Sequence, residues 1–97
     1  MFKSKMRAIH PGEVLSEELE LRGLKRAEFA RALRVPPNRV TALLNGRRAV
    51  TADTALRLAR FFGSSPEMWM AMQCSYELRV TEIDVGDEIN RTVIPAA

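Results

Sequence analysis

The sequence predicts an all-α domain built from five short helices, and three features of the chain support this fold class. Its 97 residues fit a single domain. Apolar residues recur at helical spacing along most of the chain. Proline or a capping residue stands where the helices would begin, and glycine stands where several of them would end.

The first two helices are predicted between His10 and Leu33. Pro11 suits the first helical position because its missing N–H has no partner there, and Gly23 ends the first helix. The second helix covers about 25–33. The residues expected to face inward from these two helices are Val14, Leu15, Leu19, Leu21, Phe29, Ala30 and Leu33.

Three further helices are predicted after a short connection. Pro37 opens a third helix that runs to Asn45, and Gly46 ends it as a left-handed cap. Thr51 is a suitable N-cap for a fourth helix, and residues 65–67 (Ser-Pro-Glu) start a fifth. The residues expected to face inward from the third and fourth helices are Val40, Leu43, Leu44, Ala55, Leu56, Ala59 and Phe62.

The helical pattern weakens after Val80. Residues 80–85 would suit a short strand, although Glu82 breaks strict alternation, and Gly86 and Pro95 mark turns. We therefore divide the chain into a basic N-terminal segment (1–9), a helical domain (10–80) and a C-terminal tail (81–97).

Positive charge is concentrated in one stretch of the chain. Between Arg22 and Arg48 there are eight basic residues and one acid, Glu28, although the net charge of the whole chain is only +3. Acidic residues crowd the segments on either side. Such a basic block is expected of a surface that binds a polyanion, and also of a solvated charged surface.

The second and third predicted helices have the pattern of a helix-turn-helix. The connection between them is short, Ala30 is small where they would cross, and the third helix leaves short side chains on its outer face. In double-stranded DNA, we expect bases to be contacted by Pro37, Asn38, Thr41 and Ala42. We expect phosphates to be contacted by Arg26, Arg39, Asn45, Arg47 and Arg48.

Four motifs then occur in the order typical of one family. They are HPGE at 10–13, TADTALRLARFFG at 51–63, SPE followed by Trp69, and Tyr76 followed by Leu78-Arg79. Over about residues 7–79 the sequence resembles the HigA-type antitoxins of the λ-repressor-like (XRE) helix-turn-helix family. The resemblance implies a λ-repressor-like DNA-binding domain with a short C-terminal extension. It also implies a homodimer that represses its own operon and neutralises a HigB-type toxin, a RelE-like ribosome-dependent mRNA endonuclease.

Four positions depart from the common pattern of the wider XRE helix-turn-helix family. The family often has Ser or Thr at position 25, Gln at 26, Gly at 34 and Ser at 36, where this chain has Lys25, Arg26, Arg34 and Pro36. A glutamine at position 26 can brace the recognition helix, whereas Arg26 is a longer side chain that seeks phosphate. The departures leave the expected fold intact.

The fifth helix carries the residues expected at a dimer interface, Trp69, Met72 and Tyr76. A shared surface is favoured over pure core, because large amphipathic rings suit a partly buried interface. The acidic residues of the first helix and of the tail 81–97 are candidates for contact with a basic toxin.

Two other classes of function fit the same residues. A free-standing XRE-family transcriptional regulator with no toxin partner would share every DNA-binding residue. A protein-interaction module without DNA binding would not need the basic block.

Catalysis and metal binding are not expected. His10 has no acid or nucleophile at a useful spacing, and with one histidine and one cysteine, Cys74, the chain offers neither a disulfide nor a metal site. We therefore expect no enzyme and no cofactor. No apolar run approaches 18 residues and no signal peptide is visible, so we expect a cytoplasmic protein that does not associate with membranes.

Overall fold

The computed structural model describes residues 7–96 as five α-helices, with no strand among them. The all-α fold class predicted from the sequence is confirmed. Most of the predicted basic segment 1–9, namely residues 1–6, lies outside the described residues, as does residue 97. The helices are α1 (Pro11–Arg22), α2 (Arg26–Leu33), α3 (Pro37–Leu44), α4 (Ala52–Phe62) and α5 (Pro66–Thr92).

The HPGE motif fixes the start of α1. His10 is the N-cap: its ring Nδ1 accepts a hydrogen bond of 2.8 Å from the backbone N–H of Gly12, and the Glu13 carboxylate accepts from the backbone N–H of His10. The ring is buried and lies edge-on to Tyr76 of α5, with centroids 4.8 Å apart. One short motif therefore caps α1 and joins it to α5.

The core lies between α1, α2, α3, α4 and the first turns of α5. Its largest fully buried side chains include Phe29, Leu15 and Leu58. The rings of Phe29, Phe61, Phe62 and Trp69 contact one another in a chain that joins α2, α4 and α5.

Most residues expected to face inward do so, and two do not. Leu21 is 82% exposed and Leu56 is 61% exposed, so the prediction that they face the core is wrong. Leu58, which the sequence analysis left out, is fully buried and takes the place assigned to Leu56 on α4. A two-residue shift turns a helix by about 200°, which exchanges the inner face for the outer one.

The predicted strand after Val80 is also wrong, because α5 continues without a break to Thr92. Arg79 and Glu82 form an ion pair one turn apart, and the Thr92 hydroxyl donates to the Glu88 carbonyl. The helix ends before Pro95, which disfavours helical backbone at the residue ahead of it. No described helix, α5 included, is long and apolar enough to cross a membrane.

A buried amide fixes the first half of α5 to the body. The Gln73 side chain accepts a 2.8 Å hydrogen bond from the backbone N–H of Val50 and donates to Glu77. The Trp69 indole N–H donates to the Ser64 hydroxyl. The polar groups of Gln73 and Trp69 are therefore satisfied, and α5 is held against Val50, ahead of α4, and against Ser64, after it.

Candidate nucleic-acid interface

Helices α2 and α3 are joined by a three-residue turn. Arg34 adopts a left-handed conformation (φ 62°), and the backbone N–H of Val35 donates to the Ala30 carbonyl at 3.0 Å. Ala30 is buried at the crossing of the two helices, and the Val35 side chain packs against the core. The short, sharp connection is that of a helix-turn-helix.

Helix α3 presents to solvent the face that the sequence analysis assigned to bases. Pro37 and Asn38 are exposed and Thr41 and Ala42 are half-buried, while the opposite face of α3 is buried in the core. The four residues occupy positions i, i+1, i+4 and i+5, so they lie side by side on one face. Their short side chains leave the helix narrow enough to enter a major groove.

Exposed cations lie before and after this face. Arg26 begins α2, and Arg47 and Arg48 follow α3. The backbone N–H of Arg47 donates to the Ala42 carbonyl at 2.9 Å, which holds the chain close to the end of α3. Within residues 7–96, these three guanidinium groups form no hydrogen bond or ion pair with another side chain. They are therefore available to an anionic partner. Asn45, the C-cap of α3, is exposed beside them.

Arg39 differs from the other cations expected to contact phosphate. Its Nη2 donates to the Asp53 carboxylate at 2.8 Å and to the Thr54 hydroxyl at 2.7 Å, and its side chain is only 20% exposed. Arg57 binds the same carboxylate oxygen at 2.8 Å. These arginines lower the pKa of Asp53 to about 2, chiefly through the hydrogen bond from Arg57 and then that from Arg39. The structure thus gives Arg39 an intramolecular partner that the sequence analysis missed.

The N-terminus of α2 lacks a side-chain cap. Lys25 occupies the N-cap position, but an ammonium group offers no acceptor to the backbone N–H groups of the first turn. Glu28 accepts from the backbone N–H of Lys25, so only half of a capping box is present. Two cations, Lys25 and Arg26, therefore stand beside backbone donors that no side chain caps.

Trp69 is not available for a dimer interface. Its side chain is 3% exposed and belongs to the core, which corrects the prediction made for it. Met72 is half-buried against the core, and Tyr76 is half-buried against His10. The prediction for Met72 and Tyr76 remains untested.

The second half of α5 exposes apolar side chains that the sequence analysis did not assign. Leu78 is 67%, Val80 40%, Ile83 61% and Ile89 45% exposed. Leu78 and Ile89 are separated by three helical turns and lie on the face opposite to Trp69, whereas Val80 and Ile83 continue the face of Trp69. Helical spacing from Trp69 through the tail could have revealed both faces.

The described residues contain no constellation typical of catalysis or metal binding. No three His, Cys, Asp or Glu side chains within 7–96 lie together as a metal site. Cys74 is a free, exposed thiol on α5.

A helix-turn-helix family model matches residues 15–69, more than half of the chain. The chain belongs to the helix-turn-helix family of XRE type. This XRE-type chain is 47% identical to virulence-associated protein I of Dichelobacter nodosus, over 84% of this chain and 77% of that protein.

The structural neighbours of this XRE-type protein are HigA-family antitoxins. An addiction module antidote protein of the HigA family from Coxiella burnetii superposes with a TM-score of 0.91 at 49% identity, covering 94% of this chain and 100% of that one. The Pseudomonas aeruginosa antitoxin HigA, solved with the higBA promoter, gives 0.90 at 36% identity and the same coverage. The resemblance to HigA-type antitoxins seen in the sequence is confirmed.

Proposed function

We propose that this protein is the antitoxin of a type II toxin–antitoxin pair, and that it binds its own operator as a dimeric repressor. The observation that carries the proposal is the outer face of α3, which is open to solvent. Exposed arginines precede and follow it in the chain, and they pair with no other side chain among residues 7–96. The HigA structure with promoter DNA supports the same reading of the fold. A cytoplasmic location follows from a DNA target of this kind.

Each residue of the α3 face has a role that suits its chemistry. The amide of Asn38 and the hydroxyl of Thr41 can exchange hydrogen bonds with base edges in the major groove. Pro37 and Ala42 can make apolar contact with thymine methyl groups. These contacts would read the sequence, because they depend on which base pair is present.

The phosphate contacts would come from Arg26, Arg47, Arg48 and Asn45. Backbone N–H groups at the start of α2 add to them, since a phosphate oxygen can complete the cap that Lys25 cannot provide. Such contacts fix the register of the protein on the duplex and supply affinity that falls with salt.

Dimerisation would place two copies of α3 on one face of the DNA. A two-fold dimer that spaces its recognition helices about 34–36 Å apart matches a palindromic operator with half-sites one turn apart. We assign the contact to Val80 and Ile83, exposed apolar residues in the second half of α5 that continue the helical face of Trp69. Met72 and Tyr76 border this surface.

Sedimentation velocity over a range of concentrations tests the dimer. Ile83→Ser is expected to shift the protein towards monomer. Leu56→Ser removes an equally exposed apolar side chain from α4, 61% exposed like Ile83, and is expected to leave the assembly unchanged. Equal behaviour of the two variants would contradict the assignment to α5.

DNA binding is tested by titration with the DNA upstream of the gene and with a scrambled duplex, over a series of salt concentrations. Tighter binding to the native fragment, with affinity falling as salt rises, is the expected result. Asn38→Glu should abolish the preference while the circular dichroism spectrum stays native. Asn90→Glu, in the exposed end of α5, should leave the preference for the native fragment unchanged. Equal binding of wild type to both duplexes would refute operator recognition.

Toxin neutralisation is tested by co-expression with the product of a small, basic open reading frame beside the gene. Growth arrest by that product alone, relieved by this protein, is the expected result. If the protein binds its operator but relieves no toxicity, the free-standing transcriptional regulator is the correct reading.

A further inference from the structure

We propose that Asp53 positions the recognition helix, acting through Arg39 and Arg57 to hold the helix-turn-helix at a fixed angle to α4, and that this bracing governs discrimination between the operator and other DNA. The effect on DNA rests on the proposed function. The bracing itself does not, and it can be measured without DNA.

One carboxylate oxygen joins two helices. Oδ1 of Asp53, in the first turn of α4, accepts 2.8 Å hydrogen bonds from Arg39 of α3 and from Arg57 of α4. The same nitrogen of Arg39 donates to the hydroxyl of Thr54, a residue that is 4% exposed. Both acceptors belong to α4, so the guanidinium of Arg39 is directed towards that helix.

Arg57 extends the connection to α2. Its Nη1 donates to the Leu33 carbonyl at 2.9 Å and lies 3.4 Å from the Arg34 carbonyl. These carbonyls stand at the C-terminus of α2, where the helix dipole favours a cation. Asp53 therefore connects, through two arginines, to both helices of the helix-turn-helix.

This arrangement is unlike an isolated surface ion pair. Exposed pairs contribute little to stability, because both side chains remain free to move. Although the Asp53 side chain is 58% exposed, Arg39 is only 20% exposed and each guanidinium has a second acceptor, so the planar groups have defined orientations. The low pKa of Asp53, about 2, keeps the carboxylate ionised at any ordinary pH.

Base recognition and phosphate binding respond differently to a loosened α3. Bidentate contacts with base edges need correct geometry and contribute discrimination, whereas non-specific affinity depends on the number of phosphates neutralised. Loss of the bracing should therefore lower the affinity for the operator and leave the affinity for a scrambled duplex nearly unchanged. Arg39 then acts as a positioning residue, and its charge contributes little to the salt dependence.

A direct phosphate contact by Arg39 would have the opposite signature. In that case Asp53 competes with DNA for the guanidinium, so Asp53→Asn would release a cation and strengthen binding to every duplex. Arg39→Gln, by contrast, would weaken binding to both duplexes and reduce the slope of affinity against salt by about one. The sign of the Asp53→Asn effect separates the two roles.

The experiment compares full-length wild type with Asp53→Asn, Arg39→Gln and, as a matched loss of one negative charge, Asp84→Asn in α5. We expect Asp53→Asn and Arg39→Gln each to lose about tenfold in operator affinity, with unchanged binding to scrambled DNA and an unchanged salt slope. Asp84→Asn should match wild type. Stronger or equal operator binding by Asp53→Asn overturns the proposal.

Hydrogen exchange of the free protein provides the second readout. Backbone N–H groups of α3 should lose protection in Asp53→Asn and Arg39→Gln, while those of the core residues of α1 retain it. Unchanged protection of α3 overturns the bracing. If wild type fails to prefer its operator, the proposed function fails, yet this measurement still decides the role of Asp53. If Asp53→Asn does not fold, Arg39→Gln supplies both readouts.

Discussion

Gly12 lies closer to the neighbouring helix than any other residue type would allow. A Cβ built on it would stand 2.1 Å from the Leu43 carbonyl oxygen of α3 and 3.0 Å from Nδ1 of His10. Neither atom is the free end of a flexible side chain. The HPGE motif thus combines a cap at His10, a proline at the first position, a close approach at Gly12 and a second cap at Glu13.

Gly12→Ala is expected to destabilise the protein by about 1–3 kcal/mol, because α1 and α3 must separate to admit a methyl group. Gly86→Ala is the control, since its Cβ would meet only side-chain carbons of Glu82, the nearer at 3.2 Å, which need to shift by a few tenths of an ångström, and no backbone of another helix. There alanine should be neutral or stabilise by up to about 1 kcal/mol through its helix propensity. Urea unfolding measures both, and similar values for the two variants would contradict the close approach.

The ionisation of Asp53 predicts part of the response to acid. Its pKa falls from 3.8 to about 2 on folding. A carboxyl whose pKa is lowered in the folded state stabilises that state above its unfolded pKa, and the contribution is lost as pH falls towards the folded value. Wild type should therefore lose more stability than Asp53→Asn between about pH 4 and about pH 2. Parallel losses in urea unfolding at the two pH values would contradict this.

At the scale of the helices, both termini of α2 carry residues that are unfavourable at those positions. Lys25 provides no cap, and Arg34 holds a left-handed conformation (φ 62°) that glycine adopts without strain. At these two positions the wider XRE family often has residues suited to a helix terminus, Ser or Thr at 25 and Gly at 34. The helix-turn-helix is therefore less stable than its fold permits.

Lys25→Ser should stabilise the protein by about 1 kcal/mol through a new N-cap, and Arg34→Gly by about 0.5–1 kcal/mol through relief of strain. Arg31→Gly, in an exposed position inside the same helix, should instead cost about 1 kcal/mol. Thermal unfolding monitored by circular dichroism measures the three variants. Destabilisation by both glycine substitutions would show that the left-handed residue carries no strain.

Helix boundaries are predictable from the sequence where a proline or an N-cap residue marks the start of a helix. Pro11, Pro37, Thr51 and residues 65–67 each mark a helix start that the structure confirms. The continuation of α5 is not predictable from local residues. Gly86 is typical of a turn, and the apolar residues within 80–85 suit a strand as well as a helix. The helix is recognised only when the positions of the apolar residues after Val80 are compared with those of the buried residues in the first half of α5.

At the scale of the whole molecule, exposed arginines precede and follow α3 in the chain. The sequence predicted which side chains would face outward, because the helical period alone fixes the faces of α3. It did not predict the partner of Arg39, since Asp53 lies fourteen positions away and the contact exists only once α4 is packed. Burial of Trp69 was missed for a similar reason, because an amphipathic ring suits a core and an interface equally.

Arg48→Ala should weaken binding to operator and scrambled DNA to a similar extent and reduce the slope of affinity against salt by about one. The reason is that the exposed guanidinium of Arg48, which pairs with no side chain in the described part of the chain, contributes charge without contacting bases. Arg91→Ala, in the last turn of α5, removes the same charge elsewhere and should leave the slope unchanged. A loss confined to the operator would mean that Arg48 contacts bases.

Because α5 is one unbroken helix, the number of residues in it sets the direction in which its C-terminal side chains point. Each residue turns a helix by about 100°, so deleting one residue between Glu82 and Ile89 would swing the far end of α5 by that angle relative to the body. Removing a block of seven would restore the direction to within about 20° and only shorten the rod. Evolution is thus expected to accept insertions and deletions here in near-whole turns, as it does in a leucine zipper, and to reject single steps.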